Sequence, residues 1–229
     1  MSRTYVRIEH RQKPGFVHSN GVEKLPGGRT EHANLSPVRL VLFDLDTTLV
    51  DRAEGFRRWA WEFCAEHRLA DAEAEWLIAA DDRGRADRAA FFKDLRERFD
   101  LQEPDLEDAY RERFPALVPA TPGVLTGLPR LRAAGWRIGV LGEGEPQLST
   151  LLCTGIAGLV DGWALAGPDG LSTSDPKLFE LAAERCETTL DDAWLVGADV
   201  EPARSAGLHT VRVGPDRDTA GAIALLLES

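Results

Sequence analysis

Cysteine is scarce in this chain: 229 residues hold three, Cys64, Cys153 and Cys186, with no C-x-x-C pair. An odd, scattered count argues against a disulfide framework and for a reducing compartment. No cluster of Cys and His has metal-ligand spacing. No apolar run approaches the roughly 20 residues that span a bilayer. The first residues lack the apolar core of a secretory signal. The cytoplasm is therefore the expected location. Positive charge is short too, since 27 Lys and Arg face 38 Asp and Glu for a formal net charge of −11. That balance argues against nucleic acid or an anionic membrane as the main partner. An anionic substrate would need a metal or local basic groups to enter. Internal repeats and low-complexity tracts are absent as well.

What is present fits a soluble globular protein, with 43% apolar and 28% charged residues. The length suits one domain, or a core with a subdomain. Residues 1–37 differ from the rest. They carry Pro14, Pro26 and four glycines, little periodicity and three of the five histidines. Six basic against three acidic residues leave +3 on this stretch and −14 on the remainder. It reads as a basic N-terminal extension with the composition of a disordered arm, with Tyr5–Ile8 as its one candidate strand.

The rest is organised around residues 38–51, VRLVLFDLDTTLVD. Five apolar residues among Val38 to Phe43 predict a buried strand, because parallel strands covered on both faces are continuously apolar. The run ends in Asp44-Leu45-Asp46. Two acids at the carboxyl end of such a strand stand where α/β folds bind ligands. A spacing of two turns both toward one side while Leu45 points away. A single Asp there could be a plain helix cap; a pair is harder to explain so.

This F-D-x-D-x-T-L stretch resembles the first motif of the haloacid dehalogenase (HAD) superfamily. The resemblance implies an α/β fold, a doubly wound (Rossmann-like) parallel sheet with an inserted α-helical cap. It implies that Asp44 is a nucleophile that takes a phosphoryl group. Asp46 would be the general acid/base, and its carbonyl would help hold Mg²⁺. An aspartyl-phosphate divides one hard displacement into two easier ones. The second acid protonates the leaving alcohol and then activates water. Family members that cleave carbon–halogen bonds generally lack the second acid, so Asp46 favours phosphate over halide.

After the pair, periodicity predicts helices over Arg52–Leu69, Asp71–Ala80, Ala86–Phe99 and Leu106–Phe114. Their place, directly after the first motif, resembles a HAD cap over 51–118, with the core made of 38–50 and 119–229. Arg83, Arg85 and Arg88, near Gly84, are candidates to meet an anion. The alternative is a solvated face of alternating charge with Asp81, Asp82 and Asp87. Trp59, Trp61, Trp76, Phe91 and Phe92 read as cap core. From Pro122 strands and helices alternate: helix Val124–Ala134, strand Trp136–Leu141, helix Pro146–Cys153, strand Leu159–Leu165, helix Asp175–Arg185, strand Ala193–Val196, helix Pro202–Ala206, strand Thr210–Val213 and helix Ala220–Leu227.

The later family motifs are degenerate here. The second normally ends a strand in Thr or Ser; this chain has Gly142, then Glu143, Gly144 and Glu145. The glycine amide could still cradle phosphate, while Glu143 and Glu145 oppose it. The third is a Lys; alignment on Asp175, Pro176 and Phe179 puts Thr173 at its place. Lys177 could reach back over the helix start or be a surface lysine. In the fourth, Ala198 stands at the first Asp, and Asp199 is either the displaced second Asp or a substitute for the first. The resemblance thus makes Asp44 and Asp46 the catalytic candidates. Thr48, Gly142, Glu143, Lys177 and Arg83 are the candidates for substrate or phosphate, and Asp44, Asp46 and Asp199 for metal. So many carboxylates cannot all ionise cheaply; a metal, an Arg (Arg52 or Arg83) or protonation must answer them.

Three readings follow. The first is a Mg²⁺-dependent phosphatase of a small phosphorylated metabolite, weakened by its altered cradle. The second is a HAD-like protein that binds a ligand or partner without turnover. The third uses the two acids for another reaction in the same cleft. Substrate identity and oligomeric state are open at this point.

Overall fold

The structure, a computed structural model, describes residues 38–173 and 175–229 apart from the side chain of Glu145. The basic extension and its candidate strand Tyr5–Ile8 lie outside the described residues. The core is a five-stranded parallel sheet of β1 (Arg39–Asp44), β2 (Trp136–Glu143), β3 (Gly162–Ala166), β4 (Trp194–Gly197) and β5 (His209–Arg212). Their spatial order is β3-β2-β1-β4-β5. The chain builds outward from β1 on one side, then returns to build on the other. The order therefore reverses between β1 and β4, the kind of place where doubly wound sheets bind ligands.

Leu40, Val41, Leu42 and Phe43 are all fully buried. Val41 and Phe43 belong to one apolar layer, Leu40 and Leu42 to the opposite one. This two-sided burial is why β1 reads as a continuous apolar run, each side chain contributing about 1.5–3 kcal/mol. The central strand is thereby the least movable element of the sheet. Whatever follows its last residue, Asp44, is held accordingly.

Nine α-helices are described: α1 (Arg52–Glu66), α2 (Asp71–Ala80), α3 (Arg88–Phe99), α4 (Leu106–Arg113), α5 (Val124–Ala133), α6 (Glu145–Cys153), α7 (Lys177–Arg185), α8 (Glu201–Ser205) and α9 (Thr219–Glu228). The first four form a helical insertion between β1 and α5. Asp51 caps α1 by accepting from the Glu54 amide at 2.9 Å. Asp87 caps α3 by accepting from the Ala90 amide at 2.8 Å. That cap starts α3 two residues later than the apolar spacing predicts. The first helix stops at Glu66 instead of Leu69, because Arg68 turns left-handed (φ 55°). The third strand begins at Gly162, after a 3₁₀ turn Ile156–Gly158, because its pairing with β2 starts at Gly139. In the other direction β2 outruns its apolar stretch through Gly142 and Glu143, which pair with Leu165 and Ala166.

Aromatic residues hold the insertion together. Trp59 lies 4.9 Å from Tyr110 and 5.2 Å from both Phe56 and Phe63, centroid to centroid. Phe91 and Phe92 join the same cluster. Trp76 packs at the margin of this cluster, partly buried, edge-on to Phe99 with Arg98 over its ring. Trp61, the other expected member, is exposed. The two ends of the insertion run side by side. Val50 bridges Ala120, the Asp51 amide donates to Pro119 O at 2.9 Å, and the Thr121 amide donates to Leu49 O at 2.9 Å. Gly55 permits this approach, since a Cβ there would come 2.9 Å from the Val118 Cα. No helix among the described residues is long and apolar enough to cross a membrane.

Candidate active site

The site is built on the carboxyl end of β1. Asp44 is the last residue of the strand, and its neighbour Leu45 is fully buried. Leu45 is pinned by its amide, which donates to Leu141 O at 3.0 Å, and by its carbonyl, which accepts from Leu49 and Val50. The chain then reverses through Thr47, a non-glycine residue at φ 61°. Such backbone is uncommon outside glycine and costs of the order of 1 kcal/mol. Asp44 and Asp46 are both held half-buried by this turn.

They line a cavity of about 420 Å³ together with Gly142, Glu143, Gln147, Thr173 and Asp199. The walls come from the ends of β1 and β2, the first turn of α6, Thr173 and the first turn of α7, and the loop after β4. Gly197, in β4, lets that strand pass close, because a Cβ there would lie 3.2 Å from the Asp44 Cβ. A second cavity, of about 200 Å³, adjoins the first under the helical insertion. Asp46, Glu143 and Gln147 are walls of both. Arg52, Arg88 and Tyr110 line the second one.

Burial pushes the Asp44 carboxyl up to about 7, reinforced by the charges of Asp46 and Asp199 and opposed by the Leu45 amide. Asp46 is also raised by burial, and by Glu143; Arg52 and a hydrogen bond from Gln147 hold it down. The two acids of the pair therefore differ in environment, Asp46 answered by Arg52 and the Gln147 carboxamide, Asp44 only by the Leu45 backbone amide. The arginines are in turn organised by Asp81. Arg52 donates both outer nitrogens to it at 2.9 and 3.1 Å, and Arg88 adds a third bond. Asp81 is almost fully buried, and although burial alone would raise it, the two arginines hold its carboxyl below the ordinary range.

Of the residues expected from sequence, Asp44, Asp46, Gly142, Glu143 and Asp199 come together in the first cavity, with Thr173 at the place aligned with the missing Lys. Three others line neither cavity. Thr48 is fully buried, and its carbonyl accepts from Thr219 Oγ1 at 2.7 Å, tying the turn to α9. Lys177 is an exposed residue at the start of α7, its amide donating to Asp175 Oδ1 at 3.0 Å. Arg83 is exposed in a left-handed turn (φ 56°). The arginines that line the second cavity are Arg52, Arg88 and Arg111, the last paired with Glu107. The solvated-face reading fails at Asp81, and holds at Asp82, which pairs with exposed Arg85.

Gln147 was not singled out from the sequence. Its Nε2 donates to Asp46 Oδ2 at 2.8 Å, and its Oε1 accepts from the Glu143 amide. A Cβ on Gly142 would overlap that oxygen and lie 2.8 Å from Leu165 Cδ2. The carboxamide thus fills the space of the absent hydroxyl. The available signal was its place in the first turn of the helix that follows a cleft-forming strand.

Among the described residues, no group of three or more His, Cys, Asp or Glu side chains is arranged to hold a metal by itself. Mg²⁺ does not need one. It is commonly bound by one or two carboxylates, with water and substrate phosphate completing the shell. Asp44 and Asp199 offer hard oxygen donors with uncompensated charge, so the residues present fit it.

Comparison with known proteins agrees with this geometry. A sequence model of the haloacid dehalogenase-like hydrolases matches residues 38–207. A glyceraldehyde 3-phosphate phosphatase of Pyrococcus abyssi is 29% identical over 192 residues, covering 76% of this chain and 80% of that protein. Among solved structures, a Bacillus subtilis protein described as a HAD-hydrolase bound to magnesium superposes with a TM-score of 0.59 at 18% identity, over 80% of this chain and 89% of its own. A defluorinating L-2-haloacid dehalogenase gives 0.61 at 20% identity, over 82% and 95%.

Proposed function

The chain belongs to the haloacid dehalogenase-like hydrolase family, and from that premise we propose that it is a phosphatase of a small phosphorylated metabolite. The observation that carries the reading is the Asp44–Asp46 pair in one cavity, the two carboxyls in unequal surroundings. The fold does not choose between phosphate and halide, since relatives of both kinds share it. Asp46 does, because a halide leaves without a proton and an alkoxide does not.

In the proposed reaction Asp44 Oδ attacks phosphorus while the bond from phosphorus to the alcohol oxygen breaks. Asp46, protonated, gives its proton to that oxygen as the alcohol leaves. Asp46, now a carboxylate, takes a proton from a water whose oxygen attacks the aspartyl-phosphate. Inorganic phosphate departs and Asp44 is restored. Mg²⁺ held through Asp44 and Asp199 would neutralise charge on nucleophile and phosphate as they approach. Gln147 holds Asp46 by its hydrogen bond, and burial favours the protonated form that the first step needs, against the charge of Arg52. The leaving group is excluded from bulk water by the insertion.

The reading predicts modest rates. Thr173 stands where the family has a cation, and preorganised charge of this kind is worth roughly a few kcal/mol. A second reading, ligand binding without turnover, is favoured by Gln147, which already occupies the Glu143 amide. Phosphate release from a panel of esters, with and without Mg²⁺, separates the two. Metal-dependent release that vanishes in Asp44→Asn establishes the phosphatase. No release above that variant, from folded protein, would sink it.

A further inference from the structure

The proposed chemistry leaves the second cavity without an occupant. Its most telling residue is Arg88. Arg88 opens α3, the end of a helix where aligned peptide dipoles disfavour a cation. Residues that break a local rule concentrate at functional sites. Asp81 offsets the cost, but it is shared. Arg52 gives Asp81 two hydrogen bonds and Arg88 gives it Nη2, so two guanidinium groups answer one carboxylate. Taken alone these three side chains sum to one positive charge, which Arg52 shares at longer range with Asp46. Arg88 Nη1 is buried and has no hydrogen-bond partner among the described residues. A buried donor on a charged group without a hydrogen-bond partner is costly; the rings of Phe56, Phe91 and Tyr110 against the Arg88 guanidinium offset part of that cost, and a bound anion would offset more.

Among the described residues, no acid other than Asp81 bonds Arg88. Glu107 pairs with Arg111, Asp46 accepts from Gln147, and Glu143 is exposed. The remaining walls include the rings of Phe92, Tyr110 and Phe114, which exclude water and so strengthen an ion pair. The cavity is small, about 200 Å³, and only the Asp46, Glu143 and Gln147 side chains separate it from the first.

We propose that this second cavity seats a carboxylate at the non-phosphorylated end of the substrate, taken by Arg88 with Arg52 beside it, so that the substrate class is a short phosphorylated carboxylic acid. A carboxylate suits the site better than a second phosphate. It brings a single negative charge, which walls that also hold Asp46 and Glu143 tolerate better than two, and its two oxygens match the planar guanidinium fork. A short carbon chain suffices, because the two cavities share walls. The inference rests on the phosphatase reading for the phosphate half of the ligand.

The test uses Asp44→Asn, which cannot form the aspartyl-phosphate, and calorimetric titration in Mg²⁺ with two ligands that differ at one carbon. One is 3-phosphoglycerate, with a carboxylate; the other is glycerol 3-phosphate, with a hydroxymethyl group. The expected result is at least tenfold tighter binding of 3-phosphoglycerate. Adding Arg88→Gln should bring the two ligands within threefold of each other. Equal affinities, no binding of 3-phosphoglycerate at millimolar concentration, or a preference that survives Arg88→Gln would each overturn the proposal. Should Arg88→Gln not fold, Arg88→Lys replaces it, and an undiminished preference there overturns the proposal too. Turnover by the wild type is read separately. A carboxylate preference in Asp44→Asn without turnover of either ester by the wild type would defeat the phosphatase reading and leave this one standing.

Discussion

Gly142 and Gln147 occupy one volume between them: the Gln147 carboxamide lies where a side chain on residue 142 would begin. The same carboxamide bonds Asp46 and the Glu143 amide. The two positions therefore belong to a single arrangement, and a change at either is felt at the other.

Gln147→Ala is expected to lower turnover at saturating substrate by tenfold or more, since a hydrogen bond to a charged group is worth about 1.5–3 kcal/mol. Gly142→Ser alone should displace Gln147 and lower turnover similarly. The double variant should do better than the sum of the two losses predicts, because the serine then has room. Strict additivity in a double-mutant cycle on kcat would contradict the shared volume.

Asp44→Asn should stabilise the fold while abolishing turnover. The Asp44 carboxyl is raised to about 7, whereas in the unfolded chain it titrates near 3.9. Between these values the folded state holds a proton that the unfolded state has lost. Wild-type stability therefore falls as pH rises from about 4 to about 7 and levels above. Without divalent cation, the variant's gain should be greatest at pH 8, of the order of a few kcal/mol, and shrink toward pH 4. Thermal melts of both proteins across that range provide the measurement, and a gain independent of pH would refute the cause given.

Mg²⁺ should raise the melting temperature of the wild type above pH 7 and do so less for Asp199→Ala. The reason is that both carboxylates lack a cation in the cleft. Half-maximal activity in Asp199→Ala should require several-fold more Mg²⁺. Identical melting shifts in the two proteins would remove Asp199 from the metal site.

Asp81→Ala is expected to cost about 3–5 kcal/mol in urea denaturation, because it strands two partly buried guanidinium groups. The Asp81 carboxyl is held below its ordinary range. Its contribution is present above the unfolded value near 4 and is lost as pH falls through the folded one. The variant should thus lose its disadvantage in strong acid. A cost under 1 kcal/mol at neutral pH would show the cluster to be loosely held.

Lys177→Ala should leave turnover within twofold of wild type. The side chain is exposed and lines neither cavity. A tenfold loss would place it at the phosphate after all.

The sheet was legible because its strands are buried on both faces, and burial writes itself as an apolar run. Helix α2 ran over the residues its pattern named, since an amphipathic helix needs no long-range partner to be recognised. The site was legible only where chemistry demands acids at a fixed spacing, as at Asp44 and Asp46. Elsewhere the decisive facts are pairings across distance. Asp81 looked like one of several surface acids until Arg52, 29 positions away, met it. Arg83 and Arg88 are indistinguishable by type, and a cap at Asp87 decides which one faces the cleft. Gln147 has no motif at all, only a place in the first turn of α6.

The paired ends of the insertion, Val50 beside Ala120, bear on how such a chain can change over generations. Two backbone segments that already touch can be joined by a short turn at small entropic cost. The register of β1 does not depend on the length or sequence of what hangs between them. Residues 51–118 are thus open to wholesale replacement. One demand remains on any successor, apolar residues continuous with the core cluster that Phe56 and its neighbours now join. The acid pair and the helical part above it are separately heritable, joined at one doorway.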